Sequence, residues 1–549
     1  MIQENKYTEL SAIGIEREYY DTQEQYEQAL EQSEEELQNY LHEKKTTKHI
    51  ITPNKRDQEI IEKLSKEQLE KIKNKQNIII KPTAKQEIEE LTTYVIQLLL
   101  LNKKSDATEE IVKYIRKRNT ILTTRYDEKP EMWIYREGIY VPEAKTYIEE
   151  INRIVLGVAY TSHISNNIIR KIMSESYIEP DKFFNQQNDY PEQIPVQNGL
   201  LNIKTKKLIP FTEKYIYFNK LSVKYNPKAT CEVFKKFISE ITKNEQDIKA
   251  IQELIGYCLL KEYRYETAFM FYGSNGRNGK SKLLSTIEAL LGAENITNIS
   301  LQEIEKSHFS LSDLHNKLVN ISPEISKSAI NNTGTFKQLT GRDRIAADRK
   351  HKTIIKFVNY AKMIFTSNEL PPINTNSDAF WLRWLVIEFP HQFLSKKEYN
   401  ILSDEEKKKS KIQDTEIINK LTTQEELEGL LVWALEGYQR LSKNRDFTND
   451  RTANDVKKDW SMRSNSVLAF SEDNIMVDYD GYITKKDFRI SYINFCKKNK
   501  IKPLSDKVIK ITLENEFGAN PNRKWITEGD EQNQYWIWDG ISFRGDSNK

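Results

Sequence analysis

Residues 273–281, Gly-Ser-Asn-Gly-Arg-Asn-Gly-Lys-Ser, have the composition of a phosphate cradle. Glycine and asparagine tolerate the positive φ angles that let consecutive backbone N–H groups converge on an anion. Lys280 offers a charge to the β- and γ-phosphates of ATP, and the Ser281 hydroxyl is a ligand for Mg²⁺. The whole segment is the candidate nucleotide contact: Gly273, Ser274, Asn275, Gly276, Arg277, Asn278, Gly279, Lys280 and Ser281. The common spacing puts four residues between the first glycine and Gly-Lys-Ser. Here five residues separate Gly273 from Gly279. Either the loop is one residue longer, or Ser274 stands in the first-glycine place.

Phosphoryl transfer also needs groups for the metal, the lytic water and the developing charge. Glu324 ends the apolar run KLVNISPEIS (317–326), where a carboxylate holds Mg²⁺ through water or orients the attacking water. It has no adjacent second acid, so Ser281 and Glu324 are the candidate metal ligands. Asn368 ends AKMIFTSNELPPI (361–373), a place from which an amide can touch the γ-phosphate. Arg383 enters the apolar run of DAFWLRWLVIEFP (378–390), and an arginine beside a strand can act on a neighbouring subunit's ATP. Glu324, Asn368 and Arg383 are the candidate catalytic residues. Between the first two, IAADRKHKTII reads as a hairpin with Arg349, Lys350, His351 and Lys352 at its tip, cations suited to gripping a phosphate backbone.

These groups need rigid supports. AFMFY (268–272) is a short apolar run suited to a buried parallel strand, and KLLSTIEALL (282–291) reads as a helix closed by Gly292. Strand, glycine-rich loop and helix form the context in which the motif has meaning. Upstream, MWIYREGIYV (132–141) reads as a hairpin turning at Glu137-Gly138. IPVQNGLLNIKTKKLIPF (194–211) reads as strands broken at Asn198-Gly199 and at 204–207. LEGLLVWALEGYQRL is an amphipathic core helix, and residues 482–517 read as two or three helices followed by a hairpin-like pair, a winged-helix pattern. That last stretch is the most basic, with Lys485, Lys486, Arg489, Lys497, Lys498, Lys500, Lys502, Lys507 and Lys510.

The bulk numbers bound these readings. With 549 residues the chain has room for several domains, and its 38% hydrophobic and 30% charged content fits long charged helices. Its net charge of +2 excludes nucleic-acid binding by bulk charge, so local distribution decides. No run reaches the roughly 20 apolar residues of a membrane span, and the N-terminus lacks an apolar signal core, so a cytoplasmic location in a host cell and no membrane partner are expected. Three scattered cysteines, Cys231, Cys258 and Cys496, imply packed thiols rather than a zinc site or disulfide framework. The expected domains are a charged helical or partly disordered extension (1–84), an α+β module (85–225), the nucleotide-binding core (226–395), a helical part (396–475) and a winged-helix-like end (476–549).

Taken as a series, GSNGRNGKS, KLVNISPEI, FKQLTGRDRIAADRKHK, AKMIFTSNELPP and FWLRWLVIEFP resemble the superfamily 3 helicases of the phage, plasmid and poxvirus primase-helicase type. The resemblance extends over about residues 85–549. It implies an α/β fold with an AAA+ type P-loop motor that moves 3′→5′ on single-stranded or forked DNA, as a ring-shaped homo-oligomer, a hexamer. It implies ATP and Mg²⁺ as cofactors, with Lys280, Ser281, Glu324 and Asn368 at the family's functional positions, Arg383 reaching a neighbour's ATP, and Lys350 and His351 at the tip of the DNA-gripping loop. The single acid departs from the family's acidic pair. Many relatives carry a primase-polymerase domain; residues 1–84 are too short for one and lack an Asp-x-Asp strand pair, so no priming activity is expected, and a separate primase or polymerase is a possible partner. Two other functions fit the residues: an ATP-gated DNA-binding scaffold or loader that does not unwind processively, and a motor acting on RNA.

Overall fold

The computed structural model describes residues 82–544 apart from short breaks at 126–129, 274–275, 308, 323, 327, 350–351, 374, 376, 449–450, 500, 502 and 529–530. The expected 1–84 extension thus lies almost wholly outside the described residues. The fold is mixed α/β, in two compact units that meet in sequence at Phe184 and Asn185.

The first unit is a four-stranded sheet with helices. Its strands β1 (Ile121–Thr124), β2 (Glu131–Arg136), β3 (Ile139–Val141) and β4 (Tyr177–Ile178) lie in the order β3-β2-β1-β4. The β2–β3 turn takes φ of 42° at Glu137 and 102° at Gly138, as the Glu-Gly pair leads one to expect. Helices α1 (Pro82–Leu100), α2 (Lys104–Arg118), α3 (Ala144–Leu156) and α4 (Ser162–Glu175) share with the sheet a core rich in branched residues, among them Ile111, Ile115, Ile134, Ile148 and Ile172. Thr161 caps α4 by accepting from the Ile164 amide.

The second unit opens with the antiparallel strands β5 (Gln193–Val196), β6 (Gly199–Asn202) and β7 (Leu208–Ile209). The sequence groups 185–225 with residues 85–184. The structure instead packs Ile194, Val196, Leu201, Leu221 and Val223 into the hydrophobic core that holds the phosphate-loop strand. Short apolar runs are alike in any core, so only the long-range contacts reveal the boundary.

Helices α5 (Glu232–Ile241) and α6 (Glu245–Cys258) lead into the central sheet. Its strands are β8 (Ala268–Tyr272), β9 (Ile296–Thr297), β10 (Val319–Ser322), β13 (Lys362–Ser367) and β14 (Trp384–Glu388), all parallel, in the order β14-β8-β13-β10-β9. Every residue of β8 and β13 is buried. Such strands, covered on both faces, read as unbroken apolar runs rather than as alternations. Helix α7 (Lys280–Leu291) follows β8 and ends at Gly292. Helix α8 (Gly334–Thr340) precedes the antiparallel hairpin β11 (Arg344–Arg349) and β12 (Lys352–Val358).

Strands β15 (Gln392–Leu394) and β16 (Ser410–Ile412) pair in parallel, and helix α9 (Gln424–Asn444) packs along α6. Buried Glu253 of α6 accepts from Arg440 Nε of α9 at 2.6 Å and from the Thr448 amide at 2.7 Å. Helices α10 (Ala453–Ser464) and α11 (Ser466–Asn474) lead to β17 (Ile475–Thr484), α12 (Lys485–Lys498), α13 (Asp506–Phe517), β18 (Asn520–Glu528) and β19 (Glu531–Phe543). These last strands form an antiparallel sheet, β17-β19-β18, over a core including Phe470, Phe488, Tyr492, Leu513 and Trp538. Helices then a hairpin match the sequence reading; β17, paired to β19 before the helices begin, is an addition to it. All three cysteines are free and buried, and no described helix is long and apolar enough to cross a membrane.

Candidate phosphate-binding site

Because the central strands are parallel, the chain leaves β8, β10 and β13 at one edge of the sheet. The loop after β8 delivers Gly273 there, flanked by Ser367 and Glu388, the register partners of Tyr272. Two glycines answer to close approach. A Cβ on Gly273 would collide with the Asn278 amide and come within 3.1 Å of Lys280 Nζ, and Gly279, at φ 87°, would push one to 2.5 Å from Ile241. Ser274 and Asn275 lie outside the described residues.

Lys280 opens α7 and is almost wholly buried. Its ammonium donates to Asn368 Oδ1 at 2.9 Å, to the Gly273 carbonyl at 3.2 Å and to the Ser367 carbonyl at 3.3 Å. Three oxygens thus take its three donors and fix it between the ends of β8 and β13. Burial lowers its pKa to about 8, opposed by the Glu324 carboxylate, whose charge is near enough to favour the ammonium. The Ile325 amide donates to the Thr366 carbonyl at 3.1 Å, which ties the Glu324 segment to β13. Glu324, Asn368 and Ser281 are exposed at this edge. A cleft of about 360 Å³ opens beside Ser281, lined also by Leu284, Glu288, Thr297 and Asn298.

The structure brings Lys280 and Asn368 into contact and Glu324 into electrostatic range. Strand β13 lies between β10 and β8, so the amide, not the acid, comes from the strand adjacent to β8. The order of parallel strands depends on crossover paths that local sequence does not record.

Arg277 faces outward. At φ 59°, its guanidinium takes both oxygens of Glu398 at 3.0 Å while its carbonyl accepts from the Phe393 amide at 2.7 Å. Ser395, through its hydroxyl and backbone, and then Arg277 hold the Glu398 carboxyl down at about 2. The arginine therefore anchors the loop from behind through its ion pair with Glu398.

Arg383 is not at this edge. It precedes Trp384, the register partner of Ala268 at the start of β8. A strand of five residues puts it roughly 16 Å from the loop. It pairs with Glu266 at 2.8 Å and donates to the Ala379 carbonyl. Of the hairpin cations, Lys350 and His351 lie outside the described residues, and Lys352 is placed as the register partner of Arg349. Arg349 is half-buried, and its charge adds to burial in holding the His315 imidazole down at about 3. His315 packs edge-on against Phe357, 5.2 Å between ring centroids, and so braces the base of the hairpin.

The sequence reading gave no role to Arg463. From α10 its guanidinium lies 4.6 Å from the Tyr272 ring centroid and pairs with Asp459 at 2.9 Å and Glu388 at 3.3 Å. Lys243 reaches the same Glu388 at 3.4 Å. The helical spacing of Asp459 and Arg463 was a visible signal; their place beside the phosphate-loop strand was not. Among the described residues, no group of three or more His, Cys, Asp or Glu side chains could hold a metal ion. A metal here would need phosphate oxygens to complete its shell, as Mg²⁺ commonly does.

Comparison with known proteins bears on this site. Residues 271–383 match a family of unknown function (DUF5906), and residues 39–243 match the model described as D5 N terminal like. The chain is 24% identical over 394 residues to "Putative helicase 121R" of Invertebrate iridescent virus 3, a match spanning 68% of this chain and 41% of that protein. It is 31% identical over 176 residues to "Putative helicase L207/L206" of Acanthamoeba polyphaga mimivirus, over 30% of this chain and 18% of that one. The chain thus spans less than half of either relative. Among solved structures, two apo structures of the NrS-1 C-terminal region align at 15% identity with TM-scores of 0.38 and 0.36, each over 78% of this chain and 98% of that one. Over these segments the chain is thus similar to D5-like proteins and to two viral proteins named as putative helicases.

Proposed function

We propose that the chain is an ATP-hydrolysing DNA motor of the AAA+ type, a 3′-to-5′ helicase that works as a ring-shaped, hexameric oligomer in the replication of a virus, plasmid or mobile element. The observation that carries this reading is the 2.9 Å bond from Lys280 to Asn368, with the Glu324 charge acting on the same ammonium. A cation from the start of α7 and an amide and a carboxylate from two strand ends come together beside a glycine loop, the set that in-line phosphoryl transfer requires.

In this reading the loop amides and Lys280 hold the β- and γ-phosphates. Glu324 orients a water and takes its proton as the water oxygen bonds to the γ-phosphorus and the bond to the bridging oxygen breaks, releasing ADP and phosphate. Asn368 fixes the water or the γ-phosphate. Mg²⁺, held by Ser281 and through water by Glu324, would neutralise the phosphate charge. The residues fit that ion, since both oxygen donors are exposed at the same edge. Arg383, at the far end of the sheet from its own loop, serves a neighbour's ATP. The β11–β12 hairpin carries its cations to a single strand of DNA.

The test is unwinding of forked duplexes with a single 3′ or 5′ tail. ATP-dependent separation of the 3′-tailed fork is expected. Hydrolysis without separation of either fork would favour a DNA-binding scaffold or loader.

A further inference from the structure

The β18–β19 hairpin carries a face that the motor reading does not use. Its register sets Pro521, Arg523 and Trp525 opposite Trp538, Trp536 and Gln534, so these six side chains share one side of the ribbon. At the inner end Trp538 is buried, 4% exposed, over the C-terminal core. Farther out the same face runs free: Trp536 is 51% exposed and Trp525 60%. Two large rings exposed together on one face of the ribbon form a contiguous apolar patch, the feature that marks a binding surface where single exposed rings do not.

Cations lie against these rings. The Arg523 guanidinium is 4.1 Å from the Trp536 ring centroid, and Lys485 Nζ, from the start of α12, is 4.5 Å from that of Trp538 and 5.1 Å from that of Trp536. Burial and then the charge of Lys510 lower the Lys485 pKa, while Asp506 and Glu514 oppose this. None of the six residues on the face is acidic. Protein interfaces pair an apolar centre with a rim of both signs. Flat rings with a guanidinium and an ammonium against them fit a partner that offers π-faces and a negative backbone together, which is unpaired nucleic acid.

We propose that Trp525 and Trp536, with Arg523 and Lys485, form a stacking platform for single-stranded DNA, separate from the β11–β12 hairpin. Two bases stack on the indoles and the cations take the adjoining phosphates. The choice of DNA rests on the motor reading above. The platform would hold a strand outside the motor whether or not ATP is bound.

The experiment is fluorescence anisotropy of a labelled oligothymidylate with the full chain in the absence of nucleotide, with a blunt duplex as second ligand. Stacking predicts that Trp525→Ala and Trp536→Ala each weaken single-strand binding about tenfold, and together about a hundredfold. Blunt-duplex affinity and DNA-free ATP hydrolysis stay unchanged, and Trp525→Phe with Trp536→Phe restores most of the binding. Both rings are more than half exposed, so their removal leaves the core intact. If the parent chain binds the oligonucleotide and the double alanine variant binds it equally well, the platform is wrong while the motor reading stands. Equal loss on duplex and single strand overturns stacking in favour of a groove contact. A parent chain that binds neither ligand overturns the platform, while the motor reading stands or falls on ATP hydrolysis and fork unwinding.

Discussion

Lys280 donates to the amide oxygen of Asn368 at 2.9 Å, joining the first residue of the helix after the phosphate loop to the end of the neighbouring strand. The two residues are far apart in sequence, and neither is informative alone. The proposed γ-phosphate position lies at this contact. Replacing Asn368 with Ala keeps the fold, since its side chain is exposed. The expected result is turnover lower by about a hundredfold with ATP affinity changed little, the signature of a group that acts on the transition state. Steady-state kinetics and equilibrium nucleotide binding on the same protein separate the two.

Nucleotide affinity should fall with rising pH. Lys280 is held at about 8 by burial, against the pull of Glu324, and bound phosphates would raise it. Binding is therefore full below about 8, where the ammonium is already charged. Above that it weakens by up to about tenfold per pH unit until the pKa of the bound state is passed. Titrations from pH 7 to 9.5 should show this slope, and Lys280→Met should bind weakly with a flat profile. A flat profile for the parent chain would place the lysine away from the phosphates.

Arg383 offers a test of a shared site. Arg383→Ala and Lys280→Ala should each be inactive, the first by about a thousandfold. Mixing them should restore hydrolysis, because one interface then combines an intact Lys280 with an intact Arg383. Thermal melts of Arg383→Ala control for the lost ion pair to Glu266, which is 2.8 Å long.

Glu253 is 0% exposed, and Arg440 is the cation that balances it. Arg440→Ala leaves that carboxylate buried with Thr448 alone, a loss of about 3–5 kcal/mol for a broken buried pair. Urea unfolding should show a lower midpoint for the second unit. Glu253→Gln with Arg440→Met removes both charges and should recover part of the loss.

Much of the second unit is legible in the sequence because its elements are locally coded. The strand Ala268–Tyr272, the helix closed at Gly292, the hairpin of 344–358 and the apolar runs ending at Ser322, Ser367 and Glu388 follow from composition and turn residues. What the sequence does not show is long-range. The insertion of β13 between β8 and β10, the packing of 194–225 into the core around the central sheet, and the approach of Arg463 to Tyr272 all depend on contacts between segments that carry no mark of one another. Strands of two or three residues, such as Ile296–Thr297 and Gln392–Leu394, are too short to show a period. Arg277 misleads for a related reason: nothing in Gly-Arg-Asn-Gly announces that Glu398 waits behind the loop.

The most direct test of the central claim is ATP hydrolysis by the purified chain with and without single-stranded DNA, beside Lys280→Ala. The account predicts hydrolysis that DNA stimulates and that the substitution abolishes. Hydrolysis that survives Lys280→Ala would contradict the site, and a parent chain that neither binds nor hydrolyses ATP would contradict the motor.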